Sequence, residues 1–230
     1  MTNWDKVYST NQMTMWEPQQ SIVQFVNRFI KKRVGYKSYQ VIRDFKKCLD
    51  LGCGNGSAVH FLAKNDFDTY GIDISKDAID IGKEYLKEEN LKAELKVASC
   101  DNLPFEENSF DFITCFGVLD HVETSIAKKS IEEVRRILKP KGLFFITLCS
   151  ISSSLFDKGE KTGKHTYVLE EGPEKGEIQH YFDIEEIQEL LEGFDIIDIR
   201  HSIKHQYDGK IQGLGTSGRW FITGELKKNE

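Results

Sequence analysis

Proline is scarce. Only four occur in 230 residues, at 18, 104, 140 and 173, each where an element boundary is expected, and no Pro-, Gly- or Ser-rich run resembles a linker. There is no internal repeat and no low-complexity tract, which argues against an array or a tethered pair of modules. The five cysteines (48, 53, 100, 115, 149) are odd in number, contain no C-x-x-C pair and no tight triplet, and so point away from a zinc ribbon or an iron–sulfur centre. The six histidines (60, 121, 165, 180, 201, 205) supply no H-E-x-x-H spacing, and no metal is expected. The cysteines read as small buried hydrophobes in a reducing compartment. Positive charge is in deficit: 31 Lys and Arg against 37 Asp and Glu leave a net charge of −6. Affinity for nucleic acid or anionic lipid through bulk charge is therefore not expected. No apolar run approaches the ~18–20 residues of a membrane span. The opening Met1-Thr-Asn-Trp-Asp-Lys lacks the basic-then-apolar pattern of a secretory signal, so a cytoplasmic location is expected.

What is present is a globular composition, 39% hydrophobic and 30% charged with 15 Phe, 8 Tyr and 3 Trp. Roughly 70–75% of the unfolded chain's surface is buried at this length, enough for one domain over residues 1–230. Ile22, Val23, Val26, Phe29 and Ile30 share a helical face within 19–33, which makes residues 1–40 an N-terminal helical cover. Short apolar strands are predicted at 48–51, 68–73, 93–98, 110–116 and 143–149. Helices are predicted between them, after the glycine turn 52–56, after Ser75 and over 125–138. Strands apolar on both faces that alternate with helices define a doubly wound α/β fold with a mostly parallel sheet. Asp183 and Glu186 form a capping-box-like start for a further helix, followed by strands at 194–199 and 220–226 paired antiparallel. Residues 150–182 show little regular pattern, and a segment that long suggests a lid-like cover over a site.

Ligands in such sheets bind beyond the carboxyl ends of the strands. The first predicted strand ends in Asp50-Leu-Gly52-Cys-Gly54-Asn-Gly56, whose glycines let a ligand pass close to the backbone ahead of a helix N-terminus. Two further acids stand in register: Asp73 at the end of the second strand and Asp101 after the third. A carboxylate at Asp73 suits paired ribose hydroxyls, one at Asp101 an exocyclic purine amine, and one at Asp50 a cationic amine or its bound water. Together they describe S-adenosylmethionine better than a dinucleotide. The G-x-G-x-G spacing departs from G-x-G-x-x-G, with Ser57 at the place of the third dinucleotide glycine, and no Walker lysine follows.

On these motifs the sequence resembles the class I S-adenosylmethionine-dependent methyltransferases of the bacterial small-molecule type called type 11, over about Val41 to Leu148. The stretches that match are Asp50 to Gly56, Gly71-Ile-Asp73-Ile-Ser, Cys100-Asp101-Asn-Leu-Pro-Phe105, Phe110 to Cys115, and Leu138-Lys-Pro-Lys-Gly142. The resemblance implies sheet order 3-2-1-4-5-7-6 with the seventh strand antiparallel. It implies S-adenosylmethionine contacts from Asp50, Gly52, Cys53, Gly54, Asn55, Gly56, Asp73 and Ile74, with Asn102 and Leu103 beside Asp101 at the adenine and Phe116 and Gly117 at the methionine end.

Acceptor-side candidates are His121 and His180, each a possible general base or a packing histidine. Trp4, Tyr8 and Trp16 either cover a sulfonium with ring faces or anchor the N-terminal segment. Asp111 reads as a solvated or turn-bonded acid, His201 and His205 as lying away from the site, and Lys31-Lys-Arg33 as a solvated helix end. The expected reaction is methyl transfer to O, N or S of a small metabolite, by a monomer or homodimer. Three alternatives stand beside it. A nucleic-acid methyltransferase lacks its motif, since Cys115-Phe-Gly-Val-Leu-Asp stands after the fourth strand. The others are an NAD-dependent dehydrogenase and a non-catalytic cofactor-binding module.

Overall fold

The computed structural model describes residues 3–9, 17–36, 38–170, 174–207 and 214–227. Seven strands form the main sheet: β1 (Lys47–Leu51), β2 (Asp68–Asp73), β3 (Ala93–Val97), β4 (Phe110–Phe116), β5 (Leu138–Cys149), β6 (Phe194–Tyr207) and β7 (Leu214–Leu226). Their spatial order is β3-β2-β1-β4-β5-β7-β6. The pairs from β3 to β5 are parallel, whereas β7 runs antiparallel to both β5 and β6. This is the doubly wound sheet and the strand order expected from the sequence.

Alternation along buried strands sends neighbouring side chains to opposite faces. Phe112, Leu143 and Phe145 pack with Ile22, Phe25 and Val26 of α2 (Gln20–Phe29) and with Ala58 and Leu62 of α3 (Ser57–Lys64). Ile113, Phe144 and Ile146 pack instead with Ile131 and Val134 of α5 (Thr124–Ile137) and with Ile187 and Leu190 of α6 (Ile184–Leu190). Between α3 and α5 in sequence, α4 (Lys76–Glu88) adds Ile79 and Leu86 around Leu95 and Cys53. A further helix, α1 (Asn3–Ser9), precedes these. Helices therefore cover both sheet faces and leave the carboxyl ends of the parallel strands open. Among the described residues no helix is long and apolar enough to cross a membrane.

Three expectations change. The helix predicted over 19–33 ends at Phe29, and Lys31–Arg33 pairs antiparallel with Tyr39–Val41, so the basic run is a strand and not a helix end. An apolar stripe marks a helix face but not its stop, and here the turn at Val34-Gly35 returns the chain on itself. The outer ribbon β6–β7 reaches Tyr207 and Leu214, well beyond the expected 199 and 220. Its outer half is polar, so apolar alternation fades although the ladder continues. Finally, 150–182 contains a three-stranded antiparallel sheet of Glu160–Gly163, Thr166–Val168 and Ile178–His180, strands too short to announce themselves.

Asp183 caps α6 as its sequence promised: it accepts from the Glu186 N–H at 2.8 Å, while Glu186 reaches back to the Asp183 N–H. Asp183→Ala should lower stability by about 1–2 kcal/mol in urea unfolding, the usual worth of such a cap.

Candidate functional site

The ends of β1, β2 and β4 surround a crevice of about 510 Å³, within the range of small-molecule sites. Its floor is the turn after β1. Gly52 and Gly54 adopt φ of 71° and 52°. A Cβ on Gly52 would strike the Val118 methyls, and one on Gly54 the Tyr8 hydroxyl, so conformation and space both require glycine. The turn is tied to β2 by Cys53 N–H donating to Ile72 O at 2.8 Å and by Gly54 N–H donating to Asp73 Oδ2 at 2.8 Å. Asp73 Oδ1 accepts from Ser75 N–H, also at 2.8 Å. With the Ile74 N–H also directed at it, the carboxylate keeps one acceptor position for a ligand.

Asp50 lies at the back of the crevice, 4% exposed, accepting from the Thr114 hydroxyl at 2.7 Å. Burial pushes its carboxyl up to about 7, against the Thr114 bond and with help from the charge of Asp73. Burial also raises Asp73, opposed by its bonds to Ser75, Gly54 and Ile74 N–H. Asn55 lines the same wall, and its buried Nδ2 has no hydrogen-bond partner in the protein. A buried donor with no acceptor is costly, and a ligand acceptor there would relieve that cost.

The structure brings Asp50, Gly52, Cys53, Gly54, Asn55, Asp73, Ile74, Phe116, Gly117 and His121 to this crevice. Gly56 sits just behind it, with φ of 84°, and starts α3. Asp101 takes a hydrogen bond from Ser99, and the wall itself is formed by Ala98, Ser99 and Cys100. Asp101, Asn102 and Leu103 are not among the residues that line the crevice. Leu103 packs into the core and its N–H donates to Glu133 Oε2 at 2.7 Å.

His121 Nδ1 donates to Ile178 O at 3.2 Å, and its ring meets Trp4 edge-on at 5.3 Å. Because a carbonyl only accepts, this bond leaves Nε2 to carry the lone pair of the neutral ring. His180 is elsewhere: 2% exposed, paired with Thr166 Oγ1 at 2.7 Å and against Phe182, with its pKa lowered by burial. His165 joins Asp183 and Glu186 in a cluster with metal-ligating atom types. Those carboxylates already serve the α6 cap and Lys164. Asp111 accepts from Lys46 N–H, Lys47 N–H and Lys139 Nζ, a structural tie between strands. His201 stacks on Trp220 at 4.0 Å.

The N-terminal helix α1 forms a roof. Trp4 and Tyr8 line the crevice, and Asp5 accepts from the Ser75 hydroxyl at 2.8 Å. Burial, reinforced by Asp73, Cys53 and Asp50, raises the Tyr8 phenol and keeps it neutral. Trp16 lies outside the described residues.

Sequence reasoning missed Arg219, Glu174 and Gln19 on the crevice wall and the buried Asp120 behind it. Arg219 Nη1 meets Asp120 Oδ2 at 3.1 Å, and its guanidinium lies 5.4 Å from the Phe116 ring. Asp120 Oδ2 also accepts from Cys149 N–H at 3.2 Å, and the guanidinium opposes burial to hold Asp120 below the usual carboxylate range. A signal was available: Arg219 has the same strand parity as Phe221, which faces the sheet surface under α2.

Residues 48–142 match the family model described as a methyltransferase domain. An uncharacterized protein of Methanocaldococcus jannaschii is 34% identical over 60% of this chain and 59% of its own length. The ubiquinone biosynthesis O-methyltransferase of Coxiella burnetii is 32% identical over 50% of this chain and 49% of its own. The chain thus spans about half to three-fifths of the length of these curated relatives. Among solved structures, an S-adenosylmethionine-dependent methyltransferase from Methanosarcina mazei superposes with a TM-score of 0.70 at 23% identity, over 81% of this chain and 95% of that one. At that identity the likeness is one of fold. Residues 48–142 thus resemble a methyltransferase domain, carried on the doubly wound sheet described above.

The Asp50 carboxyl yields a pH dependence. Its folded pKa of about 7 exceeds the unfolded carboxylate value, so its contribution is complete below about pH 4 and is lost as pH rises through about 7. Stability of the ligand-free protein should fall by up to about 4 kcal/mol between pH 4 and pH 8 on this account. Asp50→Asn should flatten that slope in urea unfolding series.

Proposed function

We propose that the protein transfers a methyl group from S-adenosylmethionine to an oxygen, nitrogen or sulfur of a small molecule held beside His121 and Arg219. The observation that carries this reading is the glycine turn fastened to Asp73, with the lone donor of Asn55 and the high-pKa Asp50 beside it in one crevice. S-adenosylmethionine supplies an electrophilic methyl on a sulfonium, a leaving group that needs no further activation.

In this reading Asp73 accepts from a ribose hydroxyl through the acceptor position its backbone partners leave free. Asp50 and Asn55 address the amino-acid end, and Asp101 with Asn102 the purine amine next to the wall at 98–100. Trp4 and Tyr8 offer ring faces to a cation and, with α1, exclude water. The protein's main work is then to hold the acceptor in line with the methyl, within roughly 3–3.5 Å. His121, with Nδ1 held by Ile178 O, is oriented to receive the acceptor's proton at Nε2. The ubiquinone biosynthesis relatives favour oxygen as the acceptor atom.

Calorimetry with S-adenosylhomocysteine tests the cofactor site. The native protein should bind, and Asp73→Ala should weaken binding by about 10- to 100-fold, the worth of one or more hydrogen bonds to a charged group. Absence of native binding would remove the reading. Once an acceptor is in hand, His121→Asn should lower kcat about 100-fold at neutral pH, with S-adenosylhomocysteine affinity kept.

A further inference from the structure

A second cavity, of about 550 Å³, adjoins the crevice and shares Gln19, Phe116 and Arg219 with it. It lies on the face of the β6–β7 ribbon where Arg200 stands opposite Phe221, Ser202 opposite Arg219 and Lys204 opposite Ser217. Cross-strand partners share a face, so Arg200, Lys204 and Arg219 crowd one patch, successive members of β6 on that face lying about 7 Å apart. The opposite wall is the first turns of α2, through Gln20, Ser21 and Gln24.

The charge of this groove is one-sided. Among the described residues no Asp or Glu lines it, although acids outnumber bases in the chain as a whole. Arg200 touches Asp198 at 3.1 Å, but Asp198 also serves Arg28 at 2.7 Å, so one carboxylate faces two guanidiniums. Lys204 forms no ion pair among the described residues, and Arg219 is paired with Asp120. Ser21 is 9% exposed, lines the groove, and its buried Oγ has no hydrogen-bond partner. Phe116 and Phe221 supply apolar walls between the cations.

We infer that this groove holds the anionic arm of the methyl acceptor, a small molecule with an apolar body and a carboxylate or phosphate. The inference rests on the methyltransferase reading and deepens it. The reacting atom sits beside His121, the body crosses Phe116, and the anion lies past Arg219 toward Arg200 and Lys204. Local fields of this kind select charge despite an opposite net charge, because screening removes distant acids within roughly 10 Å.

The test titrates protein saturated with S-adenosylhomocysteine against benzoate, phenyl phosphate and neutral benzyl alcohol by calorimetry at about 0.1 M salt. At least one anion should bind about tenfold tighter than benzyl alcohol. A preference for phenyl phosphate identifies a phosphorylated acceptor, and a preference for benzoate a carboxylated one. Lys204→Ala should weaken the preferred anion about two- to fivefold, and Ser202→Glu should abolish the preference, with urea midpoints and S-adenosylhomocysteine affinity monitoring the fold of each variant. Three equal affinities in the native protein, or a preference that survives Ser202→Glu, overturns the groove alone. So does salt-sensitive retention of a short RNA with no gain for either small anion. A native protein that binds no S-adenosylhomocysteine overturns the groove together with the reading beneath it.

Discussion

Everything at the open end of the sheet depends on one carboxylate. Asp73 accepts the backbone N–H of Gly54 from the turn after β1 and that of Ser75 from the start of α4. It therefore joins two crossover connections that would otherwise meet the crevice independently. The same side chain cannot retreat into water without releasing both. Its burial raises its pKa, yet three N–H groups pull the other way, so the arrangement that orients it also moderates the cost of keeping it charged. Ser75 extends the chain of contacts: it caps α4 through the Ala78 N–H and donates to Asp5 on the roof.

Charge is divided along the open edge. Asp50 and Asp73 stand at the ends of β1 and β2, and Arg219, Arg200 and Lys204 on the side of β6 and β7. Between them lies the Asp120–Arg219 pair, with the carboxylate buried and the guanidinium part-exposed, and Thr147 Oγ1 accepts from Gly117 N–H at 3.1 Å. A pair with a buried member is seldom a source of net stability, but loss of Arg219 strands the buried Asp120 charge. Its evident service is to fix a guanidinium in a wall that side-chain packing alone would fill with an apolar group.

How much of this was legible in the sequence follows from the range of the interactions. The strands 48–51, 68–73 and 110–116 and the caps at Ser75 and Asp183 are set by local periodicity and capping chemistry, and they read directly. The glycine turn with Asp50 and Asp73 read from register at strand ends. The Arg219 pairing did not, because Asp120 is 99 residues away in sequence and only the sheet order brings β7 to it. His180 looked like a site residue by its place beside two aromatics. The fold turns it inward to Thr166 and Phe182, an outcome decided by the three-stranded sheet within 150–182, whose strands are too short to leave a pattern.

The placement of Tyr8 against Gly54 has a kinetic meaning. The phenol rests on the very stretch of main chain a nucleotide would pass over, and Asp5 fastens the same short helix to Ser75. Loading and unloading on that side would displace the seven-residue helix α1, whose Trp4 and Tyr8 rings line the crevice. The free energy of that fastening is subtracted from the apparent affinity of whatever enters, and it is returned as residence time once the helix has closed.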